Sequence, residues 1–163
     1  MKLTAAQPLS TNHTIGTFDC GKPDLNNWLL VRARKAEGRS ARVYVVSDTA
    51  NEIVAYYTLS AMTADHSGVP KNLSRNMPTL IPLILMGRLA VDLRFQGIGL
   101  GKSLMRDAMQ RALAGGTVIG ARALMIHALD PTAARFYQTL GFIEFPSQSL
   151  TFFMPLETIA QAI

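Results

Sequence analysis

The chain has 163 residues, 48% of them hydrophobic and 17% charged, which suits one domain with a sizeable core and excludes a disordered or low-complexity chain. Its single cysteine, Cys20, excludes an internal disulfide and any zinc site built on several cysteines. Sixteen Lys and Arg against eleven Asp and Glu leave a net charge of +5, a balance that suits nucleic acid, an anionic cofactor or plain solubility.

In chain order, the opening MKLTAAQPLS lacks the apolar run of a signal peptide. Pro23 and Asp24 open a helical pattern with Leu25, Trp28, Leu29 and Ala33 at three- and four-residue spacing. Arg32, Arg34, Lys35, Arg39 and Arg42 crowd the segment that follows, opposed there only by Glu37. A cluster of this kind is ordinarily a solvated face, and becomes a binding surface only with support from elsewhere. Arg42 to Ser47 and Ile53 to Leu59 read as a hairpin about the turn Asp48 to Asn51. His66 to Pro82, with three prolines and a glycine, reads as loop or irregular edge. Leu83 to Val91 reads as a central strand, and the apolar run Leu80 to Met86 is too short to cross a bilayer.

A glycine-rich turn then leads into an amphipathic helix. Leu100, Leu104, Met105, Ala108, Met109, Ala112 and Leu113 share one face, and Gly115-Gly116 is expected to end it. Ala123 to Ala128 reads as a buried strand and Pro131 to Leu140 as a short helix stopped by Gly141. Phe142 to Phe145 and Leu150 to Met154 read as strands before a short tail. No repeat or linker interrupts this order, so residues 1–163 are expected to form one α/β domain.

Chemistry concentrates in the turn before the long helix. Glycines there leave backbone N–H groups uncovered, and the helix N-terminus favours an anion, with Lys102 adding charge. A P-loop would need glycine at position 96, which is Gln96, and a dinucleotide fingerprint would need glycine at position 102, which is Lys102. The pattern [RQ]-x-x-G-x-[GA] is met by Gln96-Gly97-Ile98-Gly99-Leu100-Gly101. Taken alone, the segment also fits a strand–helix turn that binds nothing. This pattern resembles the pyrophosphate loop of the GNAT acetyltransferase superfamily. A later run, Asp130-Pro131-Thr132-Ala133-Ala134-Arg135-Phe136-Tyr137 followed by Gly141-Phe142, resembles a second GNAT motif, with Asp130 where asparagine is common.

The resemblance implies a mixed, mostly antiparallel α/β (α+β) sheet, splayed at its centre and flanked by helices. It implies acetyl-CoA as co-substrate, with no metal. The backbone of Leu89, Ala90 and Val91 would hold the pantetheine arm and thioester, and Gln96 through Lys102, with Ser103, the pyrophosphate. Asp130, Ala133 and Phe136 would complete the cofactor-binding set. Tyr137 matches the family's general acid, a phenol protonated at neutral pH that can donate to the departing thiolate.

The front of the chain is similar to one branch of that superfamily. Phe18 to Leu29, the basic cluster, Arg42 to Val46, Tyr56 to Ser60 and Gly87 to Asp92 resemble the acetyltransferase toxins of bacterial toxin–antitoxin modules. The branch implies acetylation of the α-amino group of the amino acid on charged tRNA, which blocks translation. It implies a ribbon-helix-helix antitoxin, operator DNA reached through that antitoxin, and a homodimer, while the missing signal-peptide run and the short apolar stretch give a cytoplasmic location without membrane attachment as the expectation. An α-amino group of pKa about 7.7–8, lowered by its ester neighbour, needs little help from a general base. None announces itself: His127 lies in a strand expected to be buried, and His13 and His66 show no metal-ligand spacing. The polyanionic acceptor would engage Arg32, Arg34, Lys35, Arg39 and Arg42 first, then Arg75, Arg88 and Arg94. Rival readings are a GNAT enzyme for a small-molecule amine or a protein N-terminus, and a CoA-binding module without chemistry. The basic balance disfavours cationic aminoglycosides, and the glycine loop together with Tyr137 disfavours the silent module.

Overall fold

A computed structural model of the chain describes residues 2–162. In chain order its elements are β1 (Gln7–Pro8), α1 (Pro23–Val31), α2 (Ala33–Ala36), β2 (Arg42–Ser47), β3 (Ile53–Asp65), α3 (Lys71–Ser74), β4 (Leu80–Val91), α4 (Leu100–Ile119), β5 (Ala123–His127), α5 (Pro131–Thr139), β6 (Ile143–Glu144), β7 (Thr151–Pro155) and α6 (Leu156–Ala162). The strands form one seven-stranded mixed sheet in the order β1-β2-β3-β4-β5-β7-β6. Pairs β1–β2, β2–β3, β5–β7 and β6–β7 are antiparallel, and β4–β5 is parallel.

By their internal contacts the residues fall into two compact units, and β3, β4 and α4 each run through both. The first takes the chain through Ser60 together with Gly87–Ala108. Its hairpin runs from Arg42 opposite Leu59 to Val46 opposite Ala55. The turn is set by Asp48, whose Oδ1 accepts from the N–H groups of Ala50 and Glu52 at 2.9 and 3.0 Å. Pro23 starts α1 in the position where a missing N–H costs nothing. The helix lays Leu29 on Val43, Val45, Ile53, Tyr56 and Ala90, with Leu25 and Trp28 at the margin.

The second unit takes Ala61–Met86 and the residues from Met109 on. Leu73, Ile81, Leu83, Ala123, Met125, Phe145 and Phe153 form its core. Here β4 pairs with β5 from Ile84 opposite Leu124 to Met86 opposite Ile126. Val91, five residues further along the same strand, belongs to the first unit.

Several expected boundaries move. Gly115-Gly116 does not end α4, which continues to Ile119. A Cβ on Gly116 would lie 2.2 Å from Leu156 Cδ1, so this glycine serves a close approach inside the helix. The terminator is Gly120, at φ +81°, with the N–H of Ala121 returning to the Gly116 carbonyl at 3.1 Å. The last strand runs one residue further, to Pro155, and the tail after it is helical, as α6. β3 runs on past Leu59 to Asp65, and β4 starts at Leu80, passing through Pro82. Between them His66–Gly68 and Lys71–Ser74 are short helical turns. The strand expected over Phe142 to Phe145 shrinks to Ile143–Glu144.

Candidate active site

β4 ends in Leu89, Ala90 and Val91, of which Ala90 is buried and the others half-buried. The next residue, Asp92, is only 1% exposed, and four hydrogen bonds meet its carboxylate. Oδ1 accepts from the N–H and the Nε of Arg94, both at 2.9 Å. Oδ2 accepts from the Asp19 N–H at 3.1 Å and from Arg94 Nη2 at 3.2 Å. Burial pushes this carboxyl up, but the bonds outweigh burial and hold it below the usual carboxylate range. Asp19 in turn accepts from the N–H of Gly21 and from Asn26 Nδ2, both at 2.9 Å. The corner from Phe18 to Asn26 is thereby fastened to the end of β4.

The glycine loop springs from that knot. Gln96 Nε2 donates to the carbonyls of Val91, at 2.9 Å, and Cys20, at 3.2 Å. Gly97 and Gly99 have φ of +80° and +85°, the left-handed region that penalises a side chain. A Cβ on either would meet no other atom within 4 Å. These glycines are therefore required by backbone conformation, and the space beside them is open. α4 opens at Leu100, and the Ser103 N–H returns to the Gly99 carbonyl at 3.1 Å. The N–H groups of Leu100, Gly101 and Lys102 precede that bond and have no helical acceptor. Together with Lys102 they suit a pyrophosphate, so the residues present fit acetyl-CoA at its most charged part.

In the second unit, Asp130 is extended and caps α5, its Oδ1 accepting from the Ala133 N–H at 2.8 Å. Asparagine would cap equally well, so the departure from the common motif leaves the turn intact. Pro131 occupies the first helical position. Ala133 and Phe136 are half-buried, while Tyr137 is buried with its ring against Phe136, Phe142 and Phe152 at 5.4, 6.3 and 6.4 Å between centroids. Burial, reinforced by the negative charge of Asp130, raises this phenol well above its ordinary value.

Residues 39–144 match the acetyltransferase (GNAT) domain family. The chain belongs to the GNAT acetyltransferases. A tRNA-acetylating toxin of Mycobacterium tuberculosis is 34% identical to it, over 90% of this chain and 89% of the relative. The solved structure of AtaT complexed with acetyl-methionyl-tRNAfMet superposes with a TM-score of 0.89 at 28% identity, covering 99% of both chains. A tyrosine-to-phenylalanine mutant of AtaT, bound to the C-terminus of the antitoxin AtaR and acetyl-CoA, gives 0.84 at 26% identity, covering 100% of this chain and 99% of that one.

Within this GNAT frame the sequence-predicted residues divide. Gly97 and Gly99 leave open space beside the backbone that leads into α4, but the Gln96 side chain is a strut between Val91 and Cys20. Arg34 is exposed as a residue, yet its guanidinium donates to the carbonyls of Ser10, at 2.9 Å, and His13. Arg42 pairs with Glu37 at 3.5 Å and Arg94 with Asp92 at 2.9 Å. Arg32, Lys35, Arg39 and Arg75 are exposed. Arg88 is half-buried over Trp28. His127 is exposed rather than buried, with Nδ1 3.2 Å from Thr151 Oγ1. The Asp19–Asp92 knot went unread, because its only signal was an aspartate placed just after a strand. Among the described residues no three His, Cys, Asp or Glu side chains gather as a metal site, and no helix is long and apolar enough to cross a membrane.

Proposed function

We propose that this chain transfers the acetyl group of acetyl-CoA to the α-amino group of the amino acid on charged tRNA, and acts as the toxin of a toxin–antitoxin pair. The observation that carries the reading is the pair of left-handed glycines, Gly97 and Gly99, open to solvent at the start of α4. The choice of acceptor is supported by the tRNA-acetylating relative and by the likeness to AtaT. The two units act as one catalytic domain, in a cytoplasmic homodimer. A ribbon-helix-helix antitoxin neutralises it and links it to operator DNA.

Acetyl-CoA supplies an acetyl thioester. The backbone of Leu89, Ala90 and Val91 holds the thioester arm, and the loop from Gln96 to Ser103 holds the pyrophosphate, with Asp130, Ala133 and Phe136 completing the binding set. The neutral α-amine attacks the thioester carbonyl, a C–N bond forms, the C–S bond breaks, and Tyr137 gives its proton to the thiolate while the amine loses one to water. The raised pKa of Tyr137 keeps that proton in place throughout the physiological range.

The test is cell-free bacterial translation with the purified protein, with and without acetyl-CoA, beside Tyr137→Phe. Inhibition is expected only with acetyl-CoA and the intact tyrosine, together with N-acetylated aminoacyl-tRNA detected by mass spectrometry. The mutant should still bind acetyl-CoA. Translation that continues at full rate, with no acetylated tRNA formed, returns the enzyme to small-molecule or protein amines.

A further inference from the structure

Most arginines whose contacts are described above are committed to a carbonyl or a carboxylate, but Arg88 is not. Its guanidinium carbon lies 4.1 Å from the centre of the Trp28 ring, and among the described residues no carboxylate comes within ion-pair distance of it. The platform beneath it is fixed. Trp28 stacks on Tyr56 at 5.9 Å with 10° between the planes, and Tyr56, fully buried, donates its hydroxyl proton to the Leu25 carbonyl at 2.7 Å. Ala90, two residues on and so on the same face of β4, lies in the same core cluster.

Such a cation is expensive to keep. Half-burying a guanidinium without a counter-anion forfeits hydration, and burial lowers the Arg88 pKa accordingly. The ring quadrupole compensates only in part. What remains is a pre-oriented fork of N–H donors with an unmet demand for an anion, and that geometry matches the two oxygens of a phosphate. Arg88 directly precedes Leu89, the first residue assigned to the thioester arm.

We infer that Arg88, laid on Trp28, binds a phosphodiester at the acceptor end of the charged tRNA and seats the aminoacyl ester beside Leu89–Val91. This rests on the proposed function, which supplies the acceptor. Of the groups shared by every charged acceptor end only the phosphodiester is anionic: the ester is neutral, and the α-amine is neutral or cationic. A cation beside the amine also disfavours its protonated form, which keeps the nucleophile available.

The experiment compares wild type, Arg88→Met and Arg88→Lys, with total charged bacterial tRNA as acceptor and saturating acetyl-CoA. KM and kcat are measured across a range of salt, and acetyl-CoA affinity is measured separately by calorimetry. Arg88→Met should raise KM for tRNA about tenfold with kcat little changed, as expected for loss of one charge-assisted pair. It should also flatten the log–log salt dependence by about 0.7, one single-strand phosphate contact. Arg88→Lys keeps a charge on Trp28 but loses the fork, so it should show a smaller rise in KM with the salt slope retained. Unchanged acetyl-CoA affinity certifies that each variant is folded, and if the Met variant fails that check the Lys variant decides by its KM. Unaltered KM and salt slope in folded variants, with an active wild type, overturn the Arg88 assignment alone. Weakened acetyl-CoA binding in a Lys variant of normal thermal stability would move Arg88 to the cofactor and overturn it too. A wild type that acetylates no charged tRNA overturns the proposed function and this inference together.

Discussion

Tyr137 is surrounded by Phe136, Phe142 and Phe152, and burial among those rings holds its proton more tightly than water would. A phenol raised above its usual value of about 10 stays protonated at every pH an assay can use. Its ionisation therefore contributes no falling limb to the pH profile. The rising limb belongs to the acceptor amine, with a midpoint of about 7.7 or lower. Initial rates on charged tRNA should climb from pH 6 to about pH 8 and then level off, and the residual rate of Tyr137→Phe should keep the same midpoint. A decline between pH 8 and 9, corrected for ester hydrolysis, would show that Tyr137 or another essential acid ionises there. Asp92 shows the opposite balance, since four hydrogen bonds override its burial and keep it charged. Burial holds the first residue neutral, and hydrogen-bond donors hold the second ionised in spite of burial.

At the scale of elements, α4 separates what is local from what is not. Its apolar face, the glycines that open it and the order of strand, turn and helix follow from spacing along the chain, and so they were readable beforehand. The hairpin and the short helix α5, whose signals lie within a few residues, were readable for the same reason. Gly115-Gly116 looked like a helix end because a local reading cannot see Leu156, forty positions away, closing on Gly116. The strut made by Gln96 was hidden likewise, since one of its acceptors, Cys20, is 76 residues distant. The extension of β3 past Leu59 was missed because its inward side from Ser60 to Asp65 is only half-buried and carries just Met62 and Ala64 as apolar residues, too short an alternation to mark a strand. The two glycines of α4 should respond differently to alanine. Gly115→Ala has no atom to meet and should raise stability by about 1 kcal/mol, the ordinary gain in helix propensity. Gly116→Ala should lower it by about 1 kcal/mol, because Leu156 is itself buried and overpacking outweighs that gain. Thermal unfolding of both checks this, and equal gains would mean that Leu156 swings aside freely.

At the scale of the whole molecule, the count of sixteen Lys and Arg overstates the number of side chains free to reach a polyanion. Arg34 holds the Ser10 and His13 carbonyls, and Arg42, Arg94 and Arg122 face Glu37, Asp92 and Glu157. Within the basic cluster that leaves Arg32, Lys35 and Arg39 as the exposed cations without a described tie. Changing these three to glutamine should weaken tRNA binding and flatten its salt dependence by about 2 in log–log slope, leaving acetyl-CoA affinity as it was. Arg34→Gln should instead lower thermal stability. A triple variant with an unaltered slope would remove the cluster from the RNA surface. The division of the chain has its own consequence for synthesis. The first unit begins before Ser60 but is completed only by Gly87–Ala108, after an excursion that starts the second. Its core waits for Ala90, so a nascent chain must release all of that stretch before its earliest hydrophobic cluster can close. Neither unit can be cut out as one continuous piece, and for a protein proposed to stop ribosomes, a chain arrested before that point holds no finished half.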